Sequence, residues 1–134
     1  MTPEESRRDE SARWLAQAQK DLNAARLLAA PEPSRSVFHS QQAAEKASKA
    51  FLTSHDVPFR RTPDLTELGC QCAALNPALA SLFQEASDLT DYAIVFRYLD
   101  APREPDENEA VVALETAVRV FEAVSALLLP ARHS

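Results

Sequence analysis

The chain has 134 residues, 46% of them hydrophobic and 25% charged, enough for one core and too apolar for a disordered chain. Asp and Glu outnumber Lys and Arg by 20 to 14, a net charge of −6, which disfavours binding of nucleic acid through phosphate neutralisation. A single Gly leaves almost no supply of tight-turn residues for hairpins, so the expectation is one all-α domain, an antiparallel up-and-down bundle of four to five helices.

The first helix is expected from residue 4 or 11 to residue 29, with Trp14, Ala18, Leu22, Ala25 and Leu28 recurring at three and four residues before Pro31 and Pro33. Ser34 is the expected cap of a second helix that runs to about residue 55 and stops before Pro58. Its seam Val37, Ser40, Ala44, Ala47 and Phe51 is small in the middle, which lets a neighbouring backbone approach closely. Beside it runs a second stripe, Phe38, Gln41, Glu45, Ser48, Leu52 and His55, in which apolar residues flank Glu45. A carboxylate so placed needs a partner, because an unpaired buried charge is costly. Lys49, one turn on, is one candidate. Arg97 of another helix is the other, and the one expected here.

A short third helix follows, opened by the capping-box pair Asp64 and Glu67 and reaching residue 74. Asn76 and Pro77 start the fourth, whose face Leu79, Leu82, Phe83, Ala86, Leu89 or Thr90, Ala93 and Phe96 ends near Tyr98. Arg97 there suits the helix C-terminus, and framed by Tyr92 and Tyr98 it also has the chemistry to hold a phosphate. After the proline-bearing connection LDAPREPDE, Asp106 and Glu109 cap the fifth helix. Val111, Leu114, Val118, Phe121, Ser125 and Leu128 are its expected core stripe, up to Pro130.

No apolar run approaches the roughly 20 residues of a membrane helix, and the first residues lack the hydrophobic stretch of a signal peptide, so a cytoplasmic protein is expected. Cys70 and Cys72 point to different sides of a helix and are expected as free thiols. His39, His55 and His133 form no metal-ligand spacing, and no cofactor is expected.

Gln41-Gln42-Ala43-Ala44-Glu45-Lys46-Ala47 with Lys49-Ala50 resembles the QQAxEKxxKA segment of bacterial and archaeal HEPN domains. Arg61-Thr62-Pro63-Asp64-Leu65, then Tyr92 through Arg97-Tyr98 with Asp100-Ala101-Pro102, follow in the order of that family, and Trp14 and Asp21 match its first helix. The resemblance, over about residues 11 to 128, implies a helical bundle, commonly a homodimer, often paired with a minimal nucleotidyltransferase in a toxin and antitoxin couple; other members are nucleotide binders. Its catalytic members resemble metal-independent ribonucleases that carry Arg and, four to six residues on, His.

Here that pair is missing: Arg97 has no His until His133, and Arg35 to His39 has only three residues between. Pro63 stands where His is frequent, and Leu99 where Pro usually follows Arg-Tyr. The expected function is therefore a non-catalytic module that binds a protein partner or a nucleotide-like anion. Its ligand residues are expected to be Arg97, Tyr98, Tyr92, Gln42, Glu45 and Lys46. The alternative is a toxin-type ribonuclease using a non-standard acid-base residue such as His39 or His55.

Overall fold

The computed structural model describes residues 1–59, 65–95 and 103–128, the side chains of 90–95 excepted. Among these it holds five α-helices: α1 (Pro3–Leu28), α2 (Pro33–Ser54), α3 (Leu65–Leu75), α4 (Ala80–Val95) and α5 (Glu107–Leu128), with a 3₁₀ turn at Pro77–Leu79 leading into α4. No strand occurs among the described residues. None of these helices is long and apolar enough to cross a membrane.

Helix ends follow local chemistry. The Thr2 hydroxyl accepts from the Glu5 amide, and Pro3 sits where no intrahelical donor is needed, so α1 begins earlier than residue 4 or 11. At α2 the expected cap is corrected: Pro33 opens the helix with Glu32 before it, and Ser34 lies inside the first turn with its Oγ buried and unpartnered. Pro33 dictates this start, since its fixed φ is already helical. Asn76 does cap, accepting from the Ala78 amide, but into the 3₁₀ turn rather than directly into α4. At α5 the reciprocal box forms as expected: the Asp106 carboxylate accepts from the Glu109 amide at 2.8 Å, and the Glu109 carboxylate from the Asp106 amide at 3.2 Å. The expected cap at Asp64 lies outside the described residues.

Two buried hydroxyls set the direction of α2 against α1. Ser36 Oγ donates to the Ala25 carbonyl at 2.7 Å and Ser11 Oγ to the Ala50 carbonyl at 3.0 Å, so the two helices run antiparallel. Arg8, Ser54 and Leu128 line one concavity, which places the ends of α2 and α5 beside the start of α1. Arg119 of α5 bridges Glu85 of α4, and Leu89 shares a groove with Val112 and Ala113, so α4 runs antiparallel to α5. The long helices thus alternate up and down.

The central element is α2, which touches all four other helices. Its seam Val37, Ser40, Ala44, Ala47 and Phe51 is buried throughout. The alanines of α2 are met by Ala18 and Ala25 of α1 and by Ala110, Ala113 and Ala117 of α5 in one core, small against small, so close helix packing explains the alanine content. Phe51, Leu52, Leu65, Leu68 and Phe83 fill the wider part towards α3 and α4.

The fifth helix departs from expectation. Its buried stripe is Ala110, Ala113, Thr116, Ala117, Val120 and Val124. Val111 is exposed, and Leu114, Val118, Phe121, Ser125 and Leu128 are only half-buried. The larger apolar residues flank the core because only small ones fit against the alanine face of α2.

Candidate functional site

The seam of α2 turns the neighbouring stripe towards α1 and the edge of the core. Gln41, Glu45, Ser48 and Leu52 are buried, and Phe38, His39, Gln42, Lys46 and Lys49 are half-buried. This half-covered polar strip holds two charge clusters, and they are built differently.

The first runs along α2 itself. Gln42 Nε2 donates to Gln41 Oε1 at 3.1 Å, Gln41 Nε2 donates to Glu45 Oε2 at 3.3 Å, and Lys49 Nζ donates to Glu45 Oε1 at 2.8 Å. Glu45 is 7% exposed, so its charge is held by these neighbours rather than by water. Lys49 gains a second support: its ammonium lies 5.2 Å from the centroid of Trp14 and 5.7 Å from that of Phe59. The two rings meet edge to face at 6.3 Å, making an aromatic corner around the ion pair.

The second cluster crosses between helices. Asp21 of α1, 8% exposed, receives Lys46 Nζ on Oδ2 at 2.6 Å and meets His39 Nδ1 on Oδ1 at 2.8 Å. One carboxylate therefore holds two residues placed two turns apart on α2. A carboxylate on Nδ1 selects the tautomer that donates from that nitrogen, which leaves Nε2 as the proton acceptor. The His39 side chain retains 30% of its accessible surface, so that orientation is displayed to solvent rather than buried.

Of the expected ligand residues, the structure brings Gln42, Glu45 and Lys46 onto this one strip. The side chain of Tyr92, and Arg97 and Tyr98 altogether, lie outside the described residues. Lys49 pairs with Glu45, and the one-turn spacing and the aromatic corner favour that partner; the expected pairing with Arg97 lies outside the described residues. Residue reading missed the roles of Asp21, Trp14 and Phe59. Asp21 carried a signal, an acid one turn from Ala18 and Ala25 on the apolar side of α1, where a carboxylate is out of place unless paired. His55, the other candidate acid-base residue, is exposed at the end of α2 and rests against the Phe51 ring at 4.7 Å.

Comparison with known proteins bears on the fold and this strip together. The HEPN domain profile matches residues 11–127, from the buried Ser11 of α1 to the end of α5, and so includes both clusters. No curated protein and no solved structure matches the chain. Five helices in this order, with the glutamine, alanine and glutamate segment on the central one, and a profile match across most of the length identify the chain as a member of the HEPN domain family.

Proposed function

We propose that this protein is a non-catalytic, cytoplasmic HEPN module that works by assembly, pairing with a second copy of itself and docking a protein partner. A small nucleotidyltransferase is the partner that the resemblance implies. One observation carries this reading: the cations described on the half-covered strip of α2 are already neutralised within the chain, Lys46 by Asp21 and Lys49 by Glu45. A phosphate arriving at Gln42, Glu45 and Lys46 would have to displace Asp21 and approach Glu45, both unfavourable in a partly desolvated setting. A nucleotide-like anion therefore depends on Arg97, with Tyr92 and Tyr98 as stacking surfaces, and the three α2 residues serve to position rather than to ligate.

The missing Arg and His spacing supports a non-catalytic module, since cleavage needs a cation at the phosphorane and a proton carrier beside it. One observation favours the ribonuclease alternative, namely His39 held at Nδ1 by Asp21 on a side chain that keeps 30% of its surface. The two readings separate in one assay. Purified protein with total RNA and a chelator leaves the RNA intact on the proposed reading, and elutes as a stable complex when mixed with a minimal nucleotidyltransferase. RNA cleavage that disappears in His39→Ala would establish the alternative instead.

A further inference from the structure

The bundle leaves a groove open between α4 and α5. Its floor is the buried Leu89 of α4 and the buried Ala113 of α5, and Val112 stands beside them at 61% exposure, outside the core cluster and outside the residues packed on it. One exposed valine is ordinary on a protein surface. Over an apolar floor in a cavity of about 560 Å³ it is part of a wall. Ala113 and Thr116 are too small to fill the space between the two helices, which Arg119 and Glu85 bridge at one end. From Asn108 to Thr116 the α5 wall runs about 12 Å at 1.5 Å per residue, the length of two helical turns.

The charges around this floor indicate what covers it. Among the described residues, every charged side chain lining the groove is acidic: Glu85, Asp88, Asp106 and Glu109. Three of them serve the chain itself. Glu85 holds Arg119, Glu109 holds Arg103, and Asp106 and Glu109 cap α5. Neither arginine lines the groove, and each is neutralised by its carboxylate. Asp88 is exposed and has no ion-pair partner among the described residues. A phosphate or an acidic segment would meet four carboxylates, and a second copy of this chain, at net charge −6, would bring more acid to acid. A cationic segment with an apolar anchor matches both the rim and the floor. Helical geometry fits it best, because a groove between two helices takes the apolar face of a third and the described residues offer no strand edge to pair with an extended chain.

We infer that the α4–α5 groove docks a short amphipathic helix of a partner protein, its apolar anchors lying over Leu89, Val112 and Ala113 and a flanking Lys or Arg meeting Asp88. This rests on the partner docking proposed above and adds the surface and the chemistry that it recognises.

The test is fluorescence anisotropy of the full chain with three labelled, alanine-rich helical peptides. The first carries two leucines one turn apart flanked by lysines, the second replaces the lysines with glutamates, and the third replaces the leucines with serines. Only the first should bind, and more weakly as salt rises. Val112→Ser and Asp88→Lys should each weaken it on the order of tenfold, while Leu27→Ser, at a 78% exposed position on α1, should leave it unchanged. All three positions are exposed, and circular dichroism verifies the fold of each variant. No binding of the first peptide at millimolar concentration, equal binding of the glutamate peptide, or indifference to both groove variants would overturn the site. If the peptide fails while the chain still elutes with a minimal nucleotidyltransferase, the groove is removed and partner docking stands. If the peptide binds as expected and no such complex forms, the groove stands and that partner is removed.

Discussion

Lys49 shows how a single residue can serve two structures at once. Its side chain keeps 12% of its surface and that of Glu45 keeps 9%, so the pair is largely desolvated and each charge depends on the other. Removing one member leaves the other uncompensated, which for buried pairs costs about 3 to 5 kcal/mol. Lys49→Ala also removes the cation from between Trp14 and Phe59. We expect Lys49→Ala to lower the unfolding free energy by about 3 kcal/mol and Glu45→Ala/Lys49→Ala to recover part of the loss, giving a coupling above about 1 kcal/mol in a urea double-mutant cycle. Coupling near zero would mean that Glu45 draws its stabilisation from elsewhere. That Glu45 is held away from water was legible from the apolar residues around it on one stripe. Its cation was not, because a lysine one turn away and an arginine from a distant helix are both compatible with that stripe.

At the scale of elements, packing distances decide where the chemistry sits. The alanine face of α2 draws α1 and α5 close, and this brings Asp21 within reach of both His39 and Lys46. The short α3 approaches α4 by a different device. Gly69 lies buried in α3, and a Cβ there would stand 3.0 Å from Phe83 Cβ and 3.3 Å from Cδ1. Phe83 Cβ is fixed to the α4 backbone, so it cannot swing aside as a side-chain end would. Alanine is worth about 1 kcal/mol more than glycine inside a helix, but here α3 and α4 would have to move apart, with an overpacking cost of about 1 to 3 kcal/mol. Gly69→Ala is therefore expected to destabilise by about 1 kcal/mol in chemical denaturation, the reverse of its intrinsic preference. A stabilised variant would show that the two helices separate at little cost.

For the whole molecule, one buried group links stability to pH. Burial pushes the Cys72 thiol up from its ordinary 9.0 to about 12, and its Sγ donates to the Ser48 carbonyl at 3.7 Å, a bond that needs the protonated thiol. The folded pKa is raised, so this contribution is fully present below pH 9 and is lost as pH rises towards 12. The expected slope from this group is about 1.4 kcal/mol per pH unit across that window. Urea unfolding from pH 8 upward measures it, and Cys72→Ala should flatten that part of the profile. The exposed Cys70 lacks this protection and should be alkylated in the native protein while Cys72 is spared.

What the sequence by itself determined is local: the helices and most of their ends, the buried seam of α2, the half-covered polar stripe beside it, and the family. Proline positions, caps and apolar periodicity act within a few residues, so they survive without knowledge of neighbours. Only the tertiary structure decided which of two apolar stripes on α5 enters the core, that Lys49 holds Glu45, and that Asp21 joins His39 and Lys46 across 18 and 25 residues of chain. Those outcomes depend on how far each helix is rotated and slid against the next. Periodicity within one helix leaves that rotation open, and the volume available between packed backbones settles it.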